Sequence, residues 1–422
     1  MAESRLGHKA TALMSFAMSM AAGGAQFLAL IFLNHILDKE SFSRVSTVLG
    51  TFSVFFIIVE LGIQGENIRR MSKDGPRSVL SSAMALRLGL SVVAILSGLL
   101  FAWKSQLSGP MMWGMFLFSL SYVPTSVLYT FEELGYATRD SFFVILYRLS
   151  RLTGAGFFVA AILALAYGSG ELPLNFESFG RFSLFALYPL AISLLLVLAL
   201  VRLRKLGYLR KIASRDVVDL AMSSRFLALS TLFRWVAGYV FSLMVIAAIG
   251  EQNLSAYNLS NIALTPLSIF TQVFINASLA KMYKQTTYEV KPFLLKASLL
   301  ITSVIAVYTL ICSQPLFVGL VFKRIEMDSY LRMFVPLSLA QIFIAISSFI
   351  SIIFMDKQKP QLVAASTAIY CVIVLCLAPV VSALGLMDYA TIVPLIGAMV
   401  SFGYYIWELS RLATQGDLLG NR

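Results

Sequence analysis

Four arginines and one glutamate stand inside long apolar stretches of this sequence, where water cannot solvate them. They are Arg87, Arg148, Arg151, Arg234 and Glu60. Charged groups in such stretches usually face a cavity or an opposite charge, and they often have a function. Because guanidinium groups bind phosphate oxygens through two parallel hydrogen bonds, the arginines predict a site for a phosphorylated or otherwise anionic ligand. The alternative is that these long side chains reach back to lipid headgroups near helix ends.

Uncharged polar side chains recur along two of the apolar stretches. Gln64 follows Glu60 by about one helical turn. The others lie in the stretch 254–279 and are Asn258, Asn261, Thr265, Gln272 and Asn276. Most of these positions share one face of a helix. Their donors and acceptors suit sugar hydroxyls, which predicts that they line a cavity, and they equally suit hydrogen bonds between packed membrane helices.

The acidic residues of these stretches allow two interpretations. Glu60 lies well inside the stretch 42–64, and Glu132 and Glu133 close the stretch 111–131. A carboxylate at such a place can bind a proton or a sodium ion, so Glu60 is a candidate for H+ or Na+ coupling. It can instead neutralise a nearby arginine, and we favour that ion-pair interpretation.

No arrangement typical of a catalytic centre appears in the sequence. Ser/His/Asp or Cys/His sets, paired carboxylates separated by a substrate-sized gap and a glycine-rich phosphate loop are all missing. The only histidines are His8 and His35, and Cys312, Cys371 and Cys376 lie in apolar stretches. Neither a metal site nor a disulfide framework is therefore expected. We predict a protein that is not an enzyme and that binds no cofactor or metal.

The elements that position these residues are expected to be membrane helices. Hydrophobic residues make up 59% of the 422 and charged residues 13%, about half the charged share of a soluble domain. Apolar stretches of about 20 residues, the length that crosses a bilayer, recur along the chain, and backbone groups facing lipid must be satisfied within helices. We predict an all-α polytopic membrane protein with about twelve spans, at 12–36, 42–64, 81–103, 111–131, 142–167, 182–203, 224–249, 254–279, 293–319, 331–354, 360–384 and 387–409.

Basic residues mark one side of these spans. Most lysines and arginines between the spans fall on the side that holds both termini, including the run from Arg202 to Arg215. Because basic loops stay in the cytoplasm, we predict cytoplasmic termini and a location in the cell inner membrane. The formal net charge of +12 is then a topology signal beside anionic membrane lipids, and no nucleic-acid partner is expected.

The two halves of the chain resemble each other. An offset of 212 residues aligns YVPTSVLYTF (122–131) with FVPLSLAQIF (334–343), and it also places the polar positions of 46–64 on those of 258–276. This pattern predicts a parallel duplication, a known transporter plan. The predicted domains are an N-terminal six-helix lobe at 1–203, a cytoplasmic linker at 204–223 and a C-terminal six-helix lobe at 224–422.

Two segments carry a resemblance to a known family. FLNHILDKESFSRVSTVLGTFSVFFIIVELGIQGENIRR (32–70), with its Glu60, Leu61 and Gly62, and AAIGEQNLSAYNLSNIALTPLSIFTQVFINASLAK (247–281), with Tyr257 and Pro266, resemble segments of Wzx-type polysaccharide flippases. These flippases belong to the multidrug/oligosaccharidyl-lipid/polysaccharide (MOP) exporter superfamily. The resemblance implies two lobes that move a polyprenyl-diphosphate-linked oligosaccharide across the inner membrane by alternating access. It also implies polysaccharide-assembly proteins as partners.

Three other functions are open. A multidrug exporter of the same superfamily moves organic cations and needs buried carboxylates, which the first, seventh and eighth predicted spans lack. A major-facilitator transporter also has twelve helices, but GENIRRMSKDG after the second span lacks that family's Gly-Asp-Arg-Gly pattern. A membrane-embedded glycosyltransferase or polymerase is the third alternative, and a polysaccharide polymerase or ligase would be expected to have a larger outer loop than 168–181 or 320–330.

Overall fold

In the computed structural model of the chain, every secondary-structure element with described bounds is a helix. The described residues are 39–104, 107–169, 178–248, 290–321, 327–386 and 389–414, with shorter pieces inside 14–37 and 257–275. Part of the predicted span 12–36 lies outside the described residues. The same holds for Asn258 and Asn276 of the predicted polar stripe.

Fourteen α-helices have described bounds. In chain order they are α1 (Lys39–Glu60), α2 (Ile63–Lys73), α3 (Pro76–Lys104), α4 (Gly109–Ser119), α5 (Tyr122–Thr138), α6 (Ser141–Ser169), α7 (Phe179–Phe182), α8 (Leu187–Leu206), α9 (Ser214–Ala248), α10 (Val290–Cys312), α11 (Pro315–Val321), α12 (Met327–Asp356), α13 (Pro360–Ala383) and α14 (Ile392–Thr414). A 3₁₀ turn, Ser183–Ala186, joins α7 to α8. Within the described part, eight helical segments are long and apolar enough to cross a membrane.

Several predicted spans are interrupted in the structure; 293–319, for example, is divided between α10 and α11. The stretch 42–64 ends at Glu60, because Leu61 and Gly62 take positive φ angles of +28° and +65° that a helix does not contain. The polar helix α2 follows this turn. The stretch 111–131 is divided between α4 and α5, and Pro124 in the first turn of α5 has no N–H to donate to the preceding turn. Together α4 and α5 still form one apolar segment of 30 residues.

The chain divides into two compact units. The first contains the described residues up to Ser224, and the second contains those from Arg225 onward. The boundary falls inside α9. The segment predicted as the linker 204–223 is mostly helical, because α8 continues to Leu206 and α9 begins at Ser214. The non-helical connection is therefore only 207–213.

Aromatic rings fill much of the core of the first unit. Phe118 of α4 lies 4.6 Å from the Tyr188 ring of α8, centroid to centroid, and packs edge-on against Phe185. Two glycines permit this packing, since a Cβ on Gly114 or Gly154 would lie 2.5 Å or 2.7 Å from an aromatic carbon. The tight packing holds α4 and α6 in fixed register beside α8.

The second unit repeats one local feature of the first. Ser126 Oγ donates to the Val123 carbonyl at 2.8 Å, and Ser338 Oγ donates to the Val335 carbonyl at 2.8 Å. These two bonds lie 212 residues apart, at the offset of the predicted duplication. Each follows a proline by two residues, so the aligned segments share their local hydrogen bonding as well as their sequence.

Candidate functional site

Two adjacent glutamates on α5 organise the polar interior of the first unit. Neighbouring residues on a helix point about 100° apart, so Glu133 and Glu132 reach different helices. Glu133 forms an ion pair with Arg87 of α3, and both side chains are fully buried. Glu132 Oε1 lies 2.5 Å from Arg148 Nη2 of α6, and this pair is also buried. The two ion pairs therefore join α5 to α3 on one side and to α6 on the other.

Helix α2 is attached to the same residues. Asn67 Nδ2 donates to Glu133 Oε2 at 2.8 Å, and the Tyr129 hydroxyl donates to Gln64 Oε1 at 2.9 Å. The Tyr129 ring also covers the Arg87 guanidinium at 4.2 Å. We call this set the buried charge network: Gln64, Asn67, Arg87, Tyr129, Glu132, Glu133 and Arg148.

Glu60 and Arg151 lie at the edge of the network. Glu60 is half-buried at the last position of α1, within electrostatic range of Arg87, Arg151 and Arg148. Arg151 is half-buried on α6, three residues after Arg148. With these two included, three arginines face three glutamates, and the formal charge is zero.

This balance changes the sequence interpretation of the arginines. Arg87 and Arg148 were expected to be available cations, but each is paired with a buried carboxylate. The ion-pair interpretation is confirmed for Glu132 and Glu133. The anionic-ligand role of the arginines stays a prediction, and for Arg87 and Arg148 it would require release of their glutamate partners.

Several buried polar atoms of the network have no hydrogen-bond partner among the described residues. They are Arg87 Nε and Nη1, Arg148 Nε, Glu132 Oε2 and Asn67 Oδ1. Buried polar atoms are normally satisfied by protein or by water. The described ion pairs therefore do not use every donor and acceptor of these side chains.

Glu66 forms a separate acidic centre on the polar helix α2. It is buried, and Arg69 Nε and Arg70 Nε each donate to its carboxylate at 2.8 Å. Burial by itself raises the pKa of Glu66, but the hydrogen bonds from Arg69 and Arg70 outweigh it and hold the pKa below 4.5. Glu66 is therefore ionised at neutral pH.

The sequence contained a signal for part of this network that was missed. Gln64 was identified, whereas Asn67 and Tyr129 were not. Asn67 follows Glu60 by seven residues and Gln64 by three, so extending the polar face by one more turn would have found it. Tyr129 has no such signal, because its role depends on the contact between α2 and α5.

The predicted site residues of the second unit are more exposed. Arg234 is exposed on α9, within electrostatic range of Tyr370 and Tyr405, and the ion pairs among described residues give it no acidic partner. Asn261 and Gln272 are exposed too. Thr265 is half-buried and donates to the Asn261 carbonyl at 3.3 Å. Arg234 thus differs from the paired arginines of the first unit.

Comparison with known proteins gives structural likeness without sequence matches. No protein-family model matches the sequence, and no curated protein matches it significantly. A MATE transporter in its straight conformation superposes with a TM-score of 0.71 at 14% identity, over 97% of this chain and 96% of that one. A MOP superfamily transporter from Pyrococcus furiosus, described as having a binding pocket of reverse polarity that suggests a different function, gives 0.69 at 15% identity, over 98% and 97%.

A third structure, the outward-facing form of a multidrug resistance MATE family transporter of the MOP superfamily, gives 0.68 at 14% identity over 98% and 97% of the two chains. These likenesses show that the chain has the fold of the MATE transporters. The predicted fold class is confirmed: the chain is an all-α polytopic membrane protein with the fold of the MATE transporters.

Proposed function

We propose that this chain is a membrane transporter that moves its solute by alternating access. The observation that carries the proposal is the match to MATE transporters along almost the entire length of both chains. The described membrane segments support it, because they bury charged groups that a purely structural bundle would gain little from burying. We place the protein in the inner membrane with both termini in the cytoplasm, on the distribution of basic residues.

We further propose a polyprenyl-diphosphate-linked oligosaccharide as the solute. The resemblance of residues 32–70 and 247–281 to Wzx-type flippases supports this substrate. Arg234 supports it as well, because an exposed guanidinium without an acidic partner in the described contacts can bind a diphosphate. The exposed amides of Asn261 and Gln272 can bind sugar hydroxyls.

A second candidate is the export of organic cations. The fold comparisons favour it, since two of the similar structures are MATE transporters and one of these is named for multidrug resistance. Glu60 also favours it, because its carboxylate is half-buried and makes no ion pair in the described contacts. The same carboxylate is our candidate for H+ or Na+ coupling under either substrate.

One experiment separates these functions. A strain that lacks the chain should accumulate lipid-linked oligosaccharide whose sugars stay on the cytoplasmic leaflet, as measured by sugar labelling in right-side-out and inverted vesicles. Re-expression of the wild type should restore outward labelling. Normal outward labelling together with increased sensitivity to cationic drugs would instead select the multidrug exporter. Normal labelling with unchanged drug sensitivity would contradict both substrates.

A further inference from the structure

The connection between α8 and α9 lies where two membrane segments end. We call residues 204–213 the connector. The apolar segment Gly180–Leu206 ends inside it, and the backbone N–H of Arg210 donates to Ser81 Oγ at 3.0 Å, in the early turns of the segment Pro76–Lys104. Its attachment to the ends of two apolar helices places the connector at the level of the lipid headgroups.

The connector carries a group of exposed cations. Its basic side chains are all exposed, and the ion pairs among the described residues give none of them an acidic partner. The connector cations are Arg204, Lys205, Arg210 and Lys211. Arg77 adds a fifth charge nearby, since its guanidinium lies 3.5 Å from where a Cβ of Gly207 would be.

Apolar side chains alternate with these cations. Leu209 is 48% exposed and Ile212 is 51% exposed, on either side of Arg210 and Lys211. The preceding helix end adds Leu206, which is also exposed. Segments that lie in a membrane interface combine basic side chains with apolar side chains that enter the lipid.

We propose that the connector binds anionic phospholipid headgroups, with Arg210 and Lys211 on the phosphates and Leu209 and Ile212 inserted among the upper acyl carbons. A lipid occupant fits better than a protein one, because the exposed apolar side chains of the connector continue the exposed apolar side chains of the span that ends at Leu206. The inference is independent of the transported solute.

Site-directed probes in defined bilayers test the proposal. In a full chain with Cys312, Cys371 and Cys376 changed to Ala, a nitroxide on Ile212→Cys reports whether that position is in lipid or in water. Nanodiscs of phosphatidylcholine are compared with nanodiscs that contain phosphatidylglycerol, and neither contains any polyprenyl diphosphate. Leu386→Cys is the matched control, because it is 48% exposed in a turn between apolar helices and has no basic residue in 380–386.

The Ile212 probe should enter lipid when phosphatidylglycerol is present, while the Leu386 probe should not respond to it. Each basic side chain near an anionic surface increases binding about fivefold, so Arg210→Gln together with Lys211→Gln should lower the inserted-to-aqueous ratio about 25-fold. High salt should have the same effect.

A parallel measurement keeps the test valid if the cysteine changes disturb folding. Mass spectrometry of lipid retained by the otherwise unmodified chain should show less phosphatidylglycerol in the double Gln variant than in the wild type. Two results would overturn the proposal. One is a connector probe that stays in water in both bilayers; the other is equal phosphatidylglycerol retention by the two chains.

Discussion

Removal of the Glu133 charge should strongly destabilise the first unit. Arg87 and Glu133 are both 0% exposed, so Glu133→Gln leaves a buried guanidinium without its counter-charge. Breaking a buried ion pair from one side costs about 3–5 kcal/mol, whereas replacing both partners by well-packed neutral residues is often close to neutral. The Tyr129 ring over the guanidinium cannot replace a carboxylate.

A double-mutant cycle with Arg87→Met measures the coupling. If each single change lowers the free energy of unfolding by about 4 kcal/mol and the double change lowers it by about 2 kcal/mol, the coupling energy is about 6 kcal/mol. This is the amount by which the double change falls short of the sum of the single changes. The free energy of unfolding is measured by SDS titration in mixed micelles. The Asn67 contact at 2.8 Å remains available to the amide that Glu133→Gln introduces, so the cycle reports mainly on the charge pair.

The matched control is an ion pair at the surface of the same unit. Arg202 Nη2 lies 2.9 Å from Asp140 Oδ2, with side chains 44% and 25% exposed. Because exposed pairs contribute about 0–1 kcal/mol, Asp140→Asn should have little effect. Equal losses for Glu133→Gln and Asp140→Asn, or a double variant as unstable as the sum of its singles, would refute the reasoning from burial.

Three further predictions concern packing, pH and transport. Gly135→Ala should lower the free energy of unfolding by about 1–3 kcal/mol, because the new Cβ would lie 2.7 Å from Val144 Cγ2. The control is Gly156→Ala, where a Cβ would have no neighbour within 4 Å, and it should be neutral in the same unfolding assay. The pKa of Glu66 is lowered by folding, so the ionised Glu66 carboxylate contributes to stability above pH 4.5, and this contribution is lost as the pH falls below that value. The difference in free energy of unfolding between wild type and Glu66→Gln should therefore shrink as the pH is lowered. A difference that stays constant with pH would contradict this prediction. Transport by Arg234 variants should rank Arg above Lys above Gln at equal membrane abundance, whereas equal activity of all three would remove Arg234 from the head-group site.

Sequence periodicity and composition predicted the fold class because both depend on local properties. An apolar stretch long enough to cross a bilayer must be helical whatever it packs against. The breaks were harder to predict. The positive φ of Leu61 is held by the surrounding structure against its own preference, and no residue type at that position signals it. The division of 111–131 between Ser119 and Tyr122 had a recognisable signal in the missing N–H of Pro124.

The partners of the charged residues could not be predicted in detail. Glu132 and Glu133 were identified as acids that could neutralise arginine, and they do. That Glu133 pairs with Arg87 rather than with Arg148 depends on which helix lies on which side of α5. Such contacts join residues 46 positions apart, and a single sequence does not contain that information.

The charge balance of the buried charge network, counted together with Glu60 and Arg151 at its edge, connects the coupling ion to the choice of solute. With Glu60 ionised, the three glutamates cancel the arginines at positions 87, 148 and 151, so the network neither attracts an anion nor repels a cation. Binding of H+ or Na+ at Glu60 would leave one uncompensated positive charge. An anionic solute near the network would then bind more tightly with the coupling ion, and an organic cation would compete with it. Such coupling is reciprocal, so the affinity for the solute should depend on pH and on sodium concentration. Affinity for the anionic solute should rise with the concentration of the coupling ion, and affinity for an organic cation should fall. Glu60→Gln should abolish the dependence in both cases.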